Sequence, residues 1–492
     1  MILSKLRCKT IFRLLIVLLA TWVQCRAEAG APAQPEEAKK HWAMVAYRDL
    51  AFMRESIDAA HPGVLEEDDE EFHTWREAGY VQAQALASRA TSEREAIAAV
   101  QFYAVGFKDG HLWVAQNSTR RRRSAWAGWI MEEHDGQYFV SQRAAHWPVA
   151  LPPVGVRVLE CDGRAVSDLI REDIMPFVDR RVALLEVRRK LAAHLTVEMP
   201  IDPRWTDRPV QSCLVELPDG HHERFALHWR EEKEGLRRVF ARARHPLGLH
   251  DMGDGTYWVN VSDFQLDQAG LGQLEQLLAQ LRKLDKAKMV ILDTRGNQGG
   301  NSAFGDRILQ ALLKQAMPPG PEHASAWWRV SQIAIDTLQS HVDRYRLLEG
   351  ASGPEVQWLT RILDKMRAAQ ASGAKWVDNG DVPELAETGL PFQGRLGLVT
   401  DAYCASACLD FADAVLSIPG ALHVGEPTSA DTNYLDLAQL RLPGGLMMAM
   451  PLKVHRGRLR RSNEPLIPHF VYGGDMNDTA RLQQWVLQTM LR

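Results

Sequence analysis

From residue 38 the apolar positions of "HWAMVAYRDLAFMRESIDAAHP" recur with a helical period, and Pro62 predicts the end of that helix. An acidic stretch, "EEDDEE", follows and is most simply a solvated loop or helix face. The helical pattern then resumes in "YVQAQALASRATSEREAIAAVQFYAVG" and runs to about residue 105. Between about Ala127 and Glu231 the period changes to short alternating runs ("YFVSQ", "GVRVLECDG", "QSCLVELPDG", "RFALHWR") separated by Gly, Asp and Pro, which predicts a small sheet-rich domain. From "GTYWVNVSDF" onward, strand-like and helix-like segments alternate: "LGQLEQLLAQLRKL" is an amphipathic helix, while "AKMVILDTRG" and "RLGLVTDAY" are buried strands. That alternation predicts an α/β core. Residues 316–390 interrupt it, and an insertion of that size between two core strands is expected to act as a lid or cap.

Residues 1–29 change the picture at the amino end. Basic residues precede an apolar run from Leu14 to Val23, and small residues follow around Ala27 and Ala29, which is the anatomy of a secretory signal peptide. The run is short for a membrane span of ~20 residues, so cleavage near Ala29, export to the periplasm or beyond, and no stable span afterwards are expected. These 29 residues carry five positive side chains and one negative, so their removal takes the formal charge from −4 to −8. Nucleic acid is therefore not an expected partner. Cys161, Cys213, Cys404 and Cys408 remain, an even set that permits disulfides without assigning them. There is neither a zinc-like pair of CxxC motifs nor an HExxH, so no metal or cofactor is expected.

Three segments carry candidate chemistry. In "VILDTRGNQGGNS" a strand ends in a loop whose Gly299 and Gly300 expose backbone amides, the kind of donor an oxyanion needs. In "TDAYCASACLDFADAV" a turn of small residues sets Ser406 at a helix start, with the Ala407 amide beside it. The third segment is "HVGEPTSADTNYLDLAQL". In that order the three resemble the carboxyl-terminal-processing (tail-specific) and tricorn-core family of serine peptidases. The resemblance implies a crotonase-like α/β core with Ser406 as nucleophile. Two further segments extend it to roughly residues 40–492: "FKDGHLWV" resembles an Asp-Gly-His element of the tricorn-like branch, and "GVRVLECDGRAV" resembles part of a PDZ-like domain. The implied organisation is a helical region over 30–126, a PDZ-like β-rich domain over 127–235 and the peptidase core over 236–492.

One position departs from the family pattern. Where the processing branch has the lysine that deprotonates the serine, this sequence has Asp431. The base is therefore expected elsewhere, and the resemblance points to His111, a residue type suited to proton transfer near neutral pH. The resemblance also implies an orienting acid at Glu464, just before the Pro-centred strand of "SNEPLIP", with Asp431 as its competitor. Gly299 or Gly300 and Ala407 are the expected oxyanion donors. Cys404 and Cys408 either form a short disulfide that stiffens the turn or remain buried small hydrophobes. The expected substrates are peptides or protein chain ends. Two other readings share the site: an inactive peptidase fold that binds peptides, favoured by Asp431, and an esterase. Oligomeric state is left open.

Overall fold

The computed structural model describes residues 35–116, 124–199, 209–242, 245–314, 324–380 and 392–490, and the expected signal peptide lies outside them. Among the described residues no helix is long and apolar enough to cross a membrane.

The helical expectation for the amino-terminal region holds in the helices Pro35–Ala60, Glu70–Ala87 and Glu93–Val105. Asp69 and Ser92 start the second and third by accepting the Phe72 and Glu95 amides, and the acidic stretch supplies the negative charge of a first turn. The alternating segment becomes an antiparallel sheet of Trp129–His134, Gln137–Arg143, Arg157–Cys161, Ser212–Glu216 and His222–Ala226, with Arg164–Ala165 at its side. Cys161 and Cys213 stand opposite each other on neighbouring strands and are disulfide-bonded. The helix Leu185–Ala193 packs on this sheet and continues its core through Val187 and Leu191.

The carboxyl-terminal half is mixed α/β. Its main sheet runs in the order Gly248–Gly253, Thr256–Asn260, Met289–Asp293, Arg395–Thr400, Leu422–Gly425, Phe470–Val471, with every pair after the first parallel. Parallel neighbours need crossovers, and both faces of such a sheet must be covered. Val290 and Leu292 face the helices Gln268–Leu281, Ser302–Leu313 and Ala407–Leu416, while Ile291 and Val399 face Thr479–Met490. Alternate residues thus enter different cores, which explains why these strands read as unbroken apolar runs. The strands Met289–Asp293 and Arg395–Thr400 are adjacent, so the loops that follow them meet at the carboxyl edge of the sheet.

The expected lid is instead part of the frame. A second sheet places Ser325–Arg329 between the long strand Leu446–Arg456 and Trp376–Asp378, with Trp113–Gln116 and Tyr434–Arg441 also pairing to the long strand. The helices Gln332–Glu349 and Pro354–Ser372 share one core with the three amino-terminal helices, through Leu338, Val342, Leu359 and Met366 against Leu50, Met53 and Ile57. A segment that contributes two strands and two helices to this sheet and core moves only with them.

Candidate active site

The strand Arg395–Thr400 ends in a turn bridged by the buried disulfide Cys404–Cys408, which resolves the two alternatives for these cysteines. Between them Ser406 caps the helix Ala407–Leu416 with φ 56° and ψ −128°, a conformation side-chain-bearing residues rarely adopt. Strain of this kind persists only where the surroundings hold it. Here the holding group is Asp431, whose Oδ2 accepts the Ser406 amide at 2.8 Å. The acid at the departed lysine position therefore supports the serine's backbone.

The glycine loop fits against this turn. A Cβ on Gly299 would stand 2.6 Å from the Ser406 Cβ, and one on Gly300 would stand 2.0 Å from the Phe264 carbonyl oxygen. Both residues have positive φ, at 92° and 138°. The amide of Gly299 is bonded to Asn297 Oδ1 at 2.9 Å, so it is not free for an oxyanion. Gly299 is thus corrected from donor to spacer. The amides of Gly300 and Ala407 take no acceptor among the described residues. The motif's charged residues serve the scaffold: Arg295 is buried against Asp293 and donates to the Met476 carbonyl. Asp401 joins the two loops by accepting the Gly296 and Tyr403 amides at 2.7 and 3.0 Å, and burial pushes its carboxyl up to about 6.

A cavity of about 1240 Å³ opens at this edge, lined by Ser406, Gly300, Asp431 and His111. The site thus unites residues from opposite ends of the chain. His111 is largely buried; its backbone amide donates to Asp109 Oδ1 at 2.8 Å, and its Nδ1 lies 3.9 Å from the same oxygen. The insertion supplies a wall through Tyr345 and Glu355. Asp306 also lines the cavity, its carboxyl pushed up to about 6 by burial and by nearby Asp410.

Glu464 is corrected in place. It is exposed, outside the cavity wall, and its Oε2 accepts the Arg461 amide at 2.9 Å. The physical reason is the preceding residue: Asn463, at φ 58°, turns the chain and takes the inward contacts itself. Its amide donates to the Asp431 carbonyl and its Nδ2 to the Lys108 carbonyl, each at 2.8 Å.

Sequence reasoning missed how the sheet-rich domain reaches the site. Arg189 binds Glu426 through two bonds of 2.6 and 3.1 Å, Arg181 donates to the Ala430 carbonyl at 3.1 Å, and Ser429 donates to Glu186 at 2.5 Å. The loop that ends in Asp431 is therefore held from the side. Burial, offset in part by Arg181, pushes Glu186 up to about 7. No local pattern marks these residues, because each contact spans more than 230 positions (237 for Arg189–Glu426).

Residues 256–458 match the family model "Peptidase family S41". No curated protein matches the sequence. Among solved structures, mature CPAF is similar over 92% of this chain and 97% of its own, at 13% identity and a TM-score of 0.64. Mature CPAF complexed with lactacystin is similar over 92% of this chain and 99% of its own, at 14% identity and a TM-score of 0.62. At such identity the likeness is one of fold. The family match spans the glycine loop, Ser406 and Asp431, but neither His111 nor Glu464. Family match and elbow agree on the chemistry: residues 256–458 are similar to peptidase family S41, and the protein is a peptidase of the serine type.

Proposed function

We propose that this protein is an exported peptidase that hydrolyses peptide bonds by acyl transfer through Ser406, with His111 as the general base. The observation that carries the proposal is the strained Ser406 backbone, presented to a cavity that His111 and Gly300 also line. In the first step Ser406 Oγ attacks the carbonyl carbon and its proton passes to His111. The amides of Gly300 and Ala407 receive the oxyanion, and His111 then protonates the leaving amine. Water attacks the acyl-enzyme by the same route and releases the acid.

Export is supported by the expected leader and by the pairing of all four cysteines beyond it, since disulfides persist in oxidising compartments. Peptides are the substrate class. Chain ends are favoured because the cavity is walled by the insertion as well as by the peptidase core. The finer assignments, a crotonase-like core and a PDZ-like domain, rest on the sequence resemblance.

A fluorophosphonate probe tests the nucleophile. The protein is expected to be labelled, with labelling and peptide hydrolysis abolished in Ser406→Ala, a loss on the order of 10⁴ to 10⁶ in rate. Labelling that persists in the folded variant removes Ser406 from the mechanism. A wild type that binds peptides but is never labelled supports the binding-protein reading.

A further inference from the structure

Beside His111 three buried polar atoms face one another without hydrogen-bond partners: His111 Nδ1, Asp109 Oδ2 and His61 Nε2. His61 Nε2 lies 4.0 Å from Asp109 Oδ2, and His111 Nδ1 lies 3.9 Å from Asp109 Oδ1. The side chains of Asp109 and His61 are only 3% and 1% exposed. Leaving such groups unpaired costs about 1–3 kcal/mol each, so their convergence needs an explanation.

His61 is held firmly. Its ring stacks on Phe72 at 4.7 Å between centroids and meets the edge of Tyr434 at 4.9 Å, while Arg329 donates to its carbonyl. Its Nδ1 accepts the Gly63 amide at 3.1 Å, which places the proton of the neutral ring on Nε2, the atom turned toward Asp109. Burial and the Arg329 charge push His61 down to about 3, so it stays neutral, and toward Asp109 it presents a donor. Burial pushes the Asp109 carboxyl up, and the neighbouring His111 and the charge of Arg181 offset this in part. Arg181 approaches closely because residue 110 is glycine: a Cβ there would stand 2.6 Å from Arg181 Nη1. The Tyr434 hydroxyl is engaged elsewhere, with Asp69. Asp109 thus has a rigid donor behind it and the candidate base in front.

We propose that Asp109, backed by the Nε2–H of His61, is the positioning residue for His111: in the reacting complex it accepts the Nδ1–H and directs Nε2 toward Ser406. The proposal rests on the reading of Ser406 and His111 given above. A ring swing of about 1 Å brings the 3.9 Å separation into hydrogen-bond range, and catalytic hydrogen bonds often tighten in this way when substrate binds. The proton taken from Ser406 stays on His111 Nε2 until it passes to the leaving amine, and Asp109 remains an anion throughout.

The test combines NMR titration of His111 with kinetics. In Asp109→Asn the proton affinity of His111 is expected to fall tenfold or more, because a neighbouring negative charge favours the protonated ring. The same variant should lose 10² to 10⁴ in kcat, with KM within about threefold and the acid limb of the kcat/KM profile moved to lower pH. His61→Gln, which keeps an N–H donor, should stay within about threefold of wild type, and His61→Leu should lose about tenfold in kcat. An unchanged His111 titration in folded Asp109→Asn overturns the proposal. A shifted titration in a protein that neither hydrolyses peptides nor labels with fluorophosphonate sustains the Asp109–His111 contact and overturns the peptidase mechanism instead.

Discussion

The two sides of the proposed catalytic cavity, one around the proposed nucleophile Ser406 and the other around the proposed base His111, are built by different means. The nucleophile side consists of two loops at the ends of adjacent parallel strands, and apart from Asp431, which holds the Ser406 amide, and Phe264, which backs Gly300, what shapes it lies within a few residues of Gly299 or Ser406. The base side has no such local frame. His111 follows the amino-terminal helices, its neighbour Asp109 faces His61, and the loop bearing Asp431 is clamped by Arg181, Glu186 and Arg189 of the sheet-rich domain. A local turn is specified by a motif and survives change elsewhere. A junction of three regions depends on how each of them docks, so the base side is where this peptidase is open to control and to failure.

The largest test of that contrast removes the base. His111→Ala should lose activity nearly as completely as Ser406→Ala, on the order of 10³ to 10⁶ in kcat, and the double variant should be little worse than either single one. Additive losses in steady-state assays would mean that the two residues do not act as a unit. A smaller effect is expected on the nucleophile side from Gly299→Ala. The new methyl meets the Ser406 Cβ at a position where φ is already 92°, so the elbow must shift. A displacement near 1 Å is worth about 10² in rate, and kcat should fall while most of the thermal stability remains. Unchanged kcat in this variant would show that the loop does not set the serine's position.

The mildest effect on turnover, and the clearest on stability, is expected at Glu186. Its carboxyl is raised by burial from 4.5 to about 7, so between these values the folded protein holds a proton that the unfolded chain has released. Stability therefore falls as pH rises from about 4.5 to about 7 and then levels. Glu186→Gln keeps an acceptor for Ser429 and removes the titration. Its melting temperature should match wild type near pH 4 and exceed it above pH 7, by up to about 3 kcal/mol in stability. Equal melting curves at both pH values would place the cost of that buried carboxyl elsewhere.

Much of the nucleophile side is legible in the sequence. A strand that must end, glycines that must approach closely and a serine between cysteines each act within a short stretch, so each motif carries its own local geometry. The same logic fails at Glu464, where one left-handed residue, Asn463, turns the expected acid outward. It fails again for residues 316–390, because hydrophobic periodicity reports a helix but not the core that helix enters.

The sequence by itself determined the element types and the α/β alternation, which follow from residues that interact with near neighbours along the chain, while the candidacy of Ser406 and His111 came from the resemblance of their motifs to a peptidase family. Only the tertiary structure decided that Gly299 is a spacer, that Asp431 supports the Ser406 backbone, that the insertion is a wall, and that Asp109 stands between two histidines. Those outcomes depend on which distant segments pack together, and packing is settled by the burial of whole faces, which no local pattern encodes.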